Sequence, residues 1–77
     1  MTLPYIDVIE TGININDLRM SAGLSVKDIQ NVFGFSTPQA VYKWIRGDSI
    51  PSVDNLVALA KVLGVTINDI IICKEGE

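Results

Sequence analysis

Apolar residues recur along this chain with two different periods. Over the first ten residues, Ile6 and Val8 flank Asp7 just after Pro4. That period of two predicts a short extended arm rather than a helix. Pro4 suits an edge or arm, because it has no N–H to give to a ladder. From Thr11 the period lengthens. Ile15, Leu18 and Ala22 fall at i, i+3 and i+7, which predicts a first helix over about residues 12–22, with Thr11 or Asn14 as its cap and Gly23 at its end. The stretch SVKDIQNVFG predicts a second helix. Ser25 caps it, Asp28 closes a capping box, Val26, Ile29, Val32 and Phe33 make the apolar face, and Gly34 supplies a left-handed end.

Three residues later Thr37 caps a third helix, with Pro38 in the first turn where a missing N–H costs nothing. Val41, Trp44 and Ile45 face inward, and Gly47 ends the helix. Ser52 caps a fourth helix with an inner face of Val53, Leu56, Leu59, Ala60 and Leu63, stopped by Gly64. Thr66 and Asp69 repeat the capping box ahead of a short fifth helix carrying Ile67, Ile70 and Ile71. Five short helices joined by brief turns predict an all-α bundle of local contacts. The chain divides into an arm over residues 1–10, a helical domain over 11–72 and a tail over 73–77.

Composition narrows the chemistry. At 77 residues there is room for one core. With 48% hydrophobic and 19% charged residues, the chain is too apolar for a disordered tail. No apolar run reaches the roughly 18 residues that span a bilayer. MTLPYIDVIE has neither the basic start nor the apolar stretch of a signal peptide. A single cysteine, Cys73, allows no internal disulfide and suggests a reducing, cytoplasmic setting, with the thiol an inert part of the tail. Histidine is absent, which excludes a Ser-His-Asp triad, a Cys-His dyad and a His general base. One Cys and no His cannot hold a structural zinc. Paired carboxylates would need a deep cleft that so short a chain rarely forms. A binding module without metal, cofactor or small-molecule ligand is the expectation, not an enzyme.

Residues 25–47 carry the functional signal. Two short helices joined by a tight turn containing glycine form a helix-turn-helix unit, whose second helix enters the DNA major groove. The outward positions of the third helix are Pro38, Gln39, Tyr42, Lys43 and Arg46. A Gln amide donates and accepts at once on the adenine edge, so Gln39, in the first turn, is a base reader. Lys43 lies one turn on and reaches guanine acceptors or phosphate. Tyr42 and Arg46 suit backbone oxygens, and Thr37 brings an N–H or hydroxyl to a phosphate. The net charge of −3 runs against nucleic acid, but residues 29–47 hold Lys43 and Arg46 and none of the nine acidic residues.

Residues 19–71 resemble the phage-repressor and Cro-type helix-turn-helix group, often called Xre-like. The resemblance rests on the R-x-x-x-GLS opening from Arg19, the QAV-x-KW-x-x-G helix from Gln39, PS-x-x-x-L from Pro51, and LGV-T-x-x-D-I from Leu63. It covers about two-thirds of the chain and implies a compact five-helix, lambda-repressor-like domain. It also implies a bacterial or phage transcriptional regulator, usually a homodimer on a palindromic operator. By position, the group's base-reading places fall on Pro38, Gln39 and Lys43. Its phosphate contacts fall near Thr37, Tyr42, Arg46 and the loop after Gly47, with Arg19 a common basic position on helix 1. The chain departs from the group in several places. Pro38 stands where a polar reader is common and Gln30 where a small Ala packs. The turn is one residue longer, and Asn16, Asp17, Met20 and Ser21 occupy places that are often basic.

Each residue has a plainer role to set beside this. Trp44 reads as core, Asp28 and Asp69 as caps, Arg46 as a partner for Asp48, and Arg19 as a surface arginine. Ile70, Ile71 and Ile72 cover more than one face of the last helix, so one of them is a candidate to seal a homodimer, helped by Tyr5, Ile6 and Val8 of the arm. A rival reading keeps the same scaffold but binds a protein, such as a toxin, another regulator or polymerase, through the acidic surface.

Overall fold

A computed structural model describes residues 1–76; Glu77 of the expected tail lies outside the described residues. The chain forms β1 (Pro4–Ile6), α1 (Val8–Ser21), α2 (Val26–Phe33), α3 (Gln39–Arg46), α4 (Val53–Leu63), α5 (Ile67–Ile70) and β2 (Cys73–Glu75). Local chemistry sets most of the ends. Ser25 and Asp28 exchange hydrogen bonds at the start of α2, as do Thr66 and Asp69 at the start of α5. Ser52 Oγ accepts from the Asn55 N–H at the head of α4.

The first helix departs from the sequence expectation. It begins at Val8, within the predicted arm, and its cap is Asp7, whose carboxylate accepts from the Glu10 N–H at 2.9 Å. The strand therefore stops at Ile6, and the alternation of Ile6 and Val8 spans the joint between β1 and α1 rather than a longer extended arm. Thr11 and Asn14 cap nothing in α1. Asn14 Nδ2 instead donates to the carbonyls of Asp69 and Ile70 at 2.7 and 2.9 Å, closing the end of α5. Thr11, fully buried, accepts from the Ile72 N–H at 3.0 Å. The expected tail is likewise a strand. β2 pairs antiparallel with β1, Ile6 opposite Cys73 and Pro4 opposite Glu75. A Lys74–Asp7 ion pair at 3.1 Å fastens the ribbon. The fold is therefore mostly helical with a two-stranded sheet, not purely α.

The core gathers Ile15, Ile29, Val41, Trp44, Leu56, Leu59, Ala60, Leu63 and Ile70. Each large aliphatic side chain buried there contributes about 1.5–3 kcal/mol. Ala22, expected on the apolar face of the first helix, is exposed as its C-cap, and two further predicted core residues lie outside the core. Val32 is 62% exposed, because the buried face of α2 is centred between Ile29 and Gln30. Val53 is 74% exposed, because α4 turns Leu56, Leu59, Ala60 and Leu63 inward. Of the three isoleucines from which one was a candidate to seal a dimer, Ile70 is fully buried and Ile71 packs against the core. Ile72 is tied to α1 through Asp7 and Thr11.

α1 and α3 form the principal helix pair. Gly12 makes their approach possible, since a Cβ there would collide with the carbonyl oxygens of Trp44 and Ile45. Among the described residues no helix is long and apolar enough to cross a membrane.

Candidate nucleic-acid interface

α2 and α3 are joined by residues 34–38. Gly34 at φ 73° ends α2, as its sequence position predicts. The turn is fixed from within. Gln30, only 8% exposed, donates through Nε2 to the Phe35 carbonyl at 3.2 Å. Its own carbonyl accepts from the Phe35 N–H at 3.0 Å. Phe33 and Phe35 stack at 5.2 Å, and both meet Trp44 edge-on. Gln30 thus fills with a hydrogen-bonding side chain the place where the resembled group packs a small one. Trp44 is core, 4% exposed.

α3 is amphipathic, burying Val41 and Trp44 and exposing Gln39, Tyr42, Lys43 and Arg46. Thr37 does not cap it. Pro38 holds the cap position, its carbonyl accepting from the Tyr42 N–H at 3.1 Å, and no side chain covers the first turn. Thr37 is therefore exposed at a helix start whose N–H groups are open. Two open grooves flank that start. One, of about 360 Å³, runs along Ser36, Gln39, Lys43 and Ser49. The other, of about 350 Å³, runs along Lys27, Thr37, Pro38 and Tyr42. Five of the seven residues expected to touch DNA, Pro38, Gln39, Lys43, Thr37 and Tyr42, line these grooves, and Arg46 lies outside them at the end of the same helix.

The seventh, Arg19, borders neither groove. Its Nε and Nη2 donate to Asn16 Oδ1 at 3.1 and 2.7 Å, and its Nη1 to the Leu24 carbonyl at 2.8 Å. It holds the turn that leads into α2. Lys27, unremarked in the sequence, is exposed beside Thr37 and Tyr42. Its signal was its place in the first turn of α2, just inside the Ser25 cap.

Electrostatics sharpen the picture. Arg46 pairs with Asp48 at 3.1 Å, both well exposed, which offsets part of its charge while leaving Nη1 and Nη2 uninvolved. Such surface pairs contribute at most about 1 kcal/mol and yield readily to a phosphate. The Asp28 carboxyl lies below the usual range because the Ser25 N–H and then its hydroxyl stabilise the anion, and Asp69 is lowered the same way by Thr66. Both act as caps. Among the described residues no group of three or more acidic, Cys or His side chains could hold a metal.

A hydrogen-bonded turn followed by an amphipathic, acid-free second helix with an open outer face defines a helix-turn-helix domain. The model of the helix-turn-helix family matches residues 15–70, and the chain belongs to that family. A stretch of 30 residues is 53% identical to the 26 kDa repressor protein of Escherichia phage HK022. That stretch is 39% of this chain and 13% of the relative, so the match spans a small part of the repressor's length. The fold is similar to the restriction-modification controller protein C.AhdI from Aeromonas hydrophila, with TM-score 0.74 and 25% identity over 83% of this chain and 96% of that one. It is also similar to the S. venezulae BldD DNA-binding domain, with TM-score 0.72 and 24% identity over 84% and 96% of the two chains.

Proposed function

We propose that this chain reads a specific sequence in double-stranded DNA by placing α3 in the major groove, and acts as a repressor of bacterial or phage type. By family and by the regulators it resembles, it is a DNA-binding transcription regulator; the roles of individual residues are the step beyond that. Gln39 takes an adenine edge. Lys43 reaches guanine acceptors, and Pro38 rests on a thymine methyl. Thr37, the open N-terminus of α3, Tyr42, Arg46 and Lys27 hold phosphates on either side. Arg19 reaches the backbone only by giving up a bond to Asn16 or Leu24. A homodimer on a palindromic operator follows from the two-fold logic of such sites, and the cytoplasm is where it acts. No cofactor enters the reading.

The observation that carries this is the exposed face of α3, with Gln39 and Lys43 projecting from a helix anchored by Trp44 and the Gln30–Phe35 bonds. The net charge of −3 favours the rival protein-binding reading, but the acidic residues lie outside residues 29–47. The test is the Gln39→Ala, Lys43→Ala double substitution. It abolishes duplex binding while thermal unfolding stays at the wild-type temperature. Undiminished duplex binding would move the contact surface elsewhere.

A further inference from the structure

Most of the large apolar side chains that the fold leaves exposed lie within residues 1–20. On α1 they form a pattern. Ile9, Ile13 and Met20 are 61%, 48% and 54% exposed and stand at i, i+4 and i+11. At about 100° per residue they fall within about 40° of one another around the helix. The stripe runs three turns, about 16 Å along the axis, on a face turned away from the buried Thr11, Gly12 and Ile15. Glu10 and Asp17, both exposed, stand beside it on one line, two turns or about 10 Å apart. Among the described residues neither has an ion-pair partner. The one cation of α1, Arg19, donates to Asn16 and Leu24, and Lys74 of β2 pairs with Asp7.

We propose that this face of α1 docks a cationic amphipathic helix of another protein. The apolar stripe of that helix lies along Ile9, Ile13 and Met20, and its Lys or Arg side chains, two turns apart, meet Glu10 and Asp17. Charge chooses among the occupants. A DNA backbone and an anionic lipid surface are both repelled by the two carboxylates. A second copy brings acid against acid, with no unengaged cation beside the stripe to answer it. A helix whose basic residues flank its apolar ones supplies both the burial and the opposite charge, in the helix-on-helix mode of recognition.

None of these five residues lines either groove beside α3, so such a partner and DNA can be held at once. One helix face against another buries less than the roughly 1,200 Å² of a stable complex. Docking is therefore transient, with a dissociation constant of about 1–100 µM. It does not depend on α3 reading DNA, and the two are tested apart.

The probe is a library of helical peptides of about 20 residues with randomised surface positions, selected on the full chain without DNA. The expected winners carry an apolar stripe flanked by Lys or Arg two turns apart. Ile9 abuts Gly47 at the end of α3, so Ile13 is the residue to change in the stripe. Ile13→Asp and Asp17→Lys should each weaken the winning peptide about tenfold or more, with the unfolding temperature held. Exchanging for Glu the basic residue of the peptide that faces Asp17 should restore binding to Asp17→Lys. The Gln39→Ala, Lys43→Ala variant should bind the peptide as the wild type does, whatever it does to DNA. No enrichment, winners that are acidic or lack the stripe, or Ile13→Asp binding at the wild-type level overturns the proposal. Loss of the peptide in the Gln39→Ala, Lys43→Ala variant also overturns it, by placing the contact on α3. Self-association of the chain that Ile13→Asp abolishes, read by sedimentation equilibrium, overturns it in favour of a second copy.

Discussion

Gly12 sits where α1 comes closest to α3, with room for no side chain. A Cβ there would lie 2.6 Å from the Ile45 carbonyl oxygen and nearer still to that of Trp44. Both are backbone atoms of a helix and cannot swing aside. Gly12→Ala should therefore destabilise by about 1–3 kcal/mol, although alanine alone would favour the helix by nearly 1 kcal/mol. Thermal unfolding checks this, with an expected drop of at least about 4 °C; an unchanged or raised midpoint would contradict the close crossing. At this level the sequence was partly readable. Trp44 was legible as core from its spacing with Val41, and Gln39 and Lys43 as exposed from their place on the opposite face. The exposure of Val32 and Val53 was not. Hydropathy marks a residue as fit for burial, but the orientation of each helix is set by neighbours distant in sequence. Arg19 shows the same limit, because its partners depend on how the turn after α1 folds back.

The helices begin where carboxylates and hydroxyls meet open N–H groups. Ser25–Asp28 and Thr66–Asp69 were legible because a capping box is a local pattern that needs no tertiary contact. Asp7 was missed because the first strand hid it, and that strand depends on β2, nearly seventy residues along the chain. Capping also fixes an acid response. Asp28 and Asp69 are lowered by hydrogen bonds from their caps, and Asp7 by the Glu10 N–H first and Lys74 next. A carboxyl lowered on folding stabilises the fold above its unfolded value, about 3.9, and that contribution is lost as pH falls through the lower folded value. The unfolding temperature should hold steady from neutrality to about pH 5 and decline below about pH 4. Asp28→Asn together with Asp69→Asn should flatten that decline, since neutral amides do not titrate. A decline as steep as that of the wild type would mean other groups control it.

Across the whole molecule, charge is separated rather than balanced. The surplus of acid that gives a net −3 leaves residues 29–47 free of it. That arrangement lowers general affinity for nucleic acid while preserving one face that can use it. Arg19, Lys27, Lys43 and Arg46 are the four cations positioned on or behind that face, so each copy can release counterions from about four phosphates at most. The family was legible from the motifs between Arg19 and Ile71, whereas the two-stranded clasp was not, since no local pattern joins residue 5 to residue 74.

Selection from a randomised duplex library, followed by salt titration on the selected sequence, tests the reading at its centre. The account predicts enrichment of one motif with two-fold symmetry. The affinity should fall with salt at a logarithmic slope no steeper than about −4 per copy. No enrichment even at low salt would contradict it, and would point to a protein partner on the acidic surface.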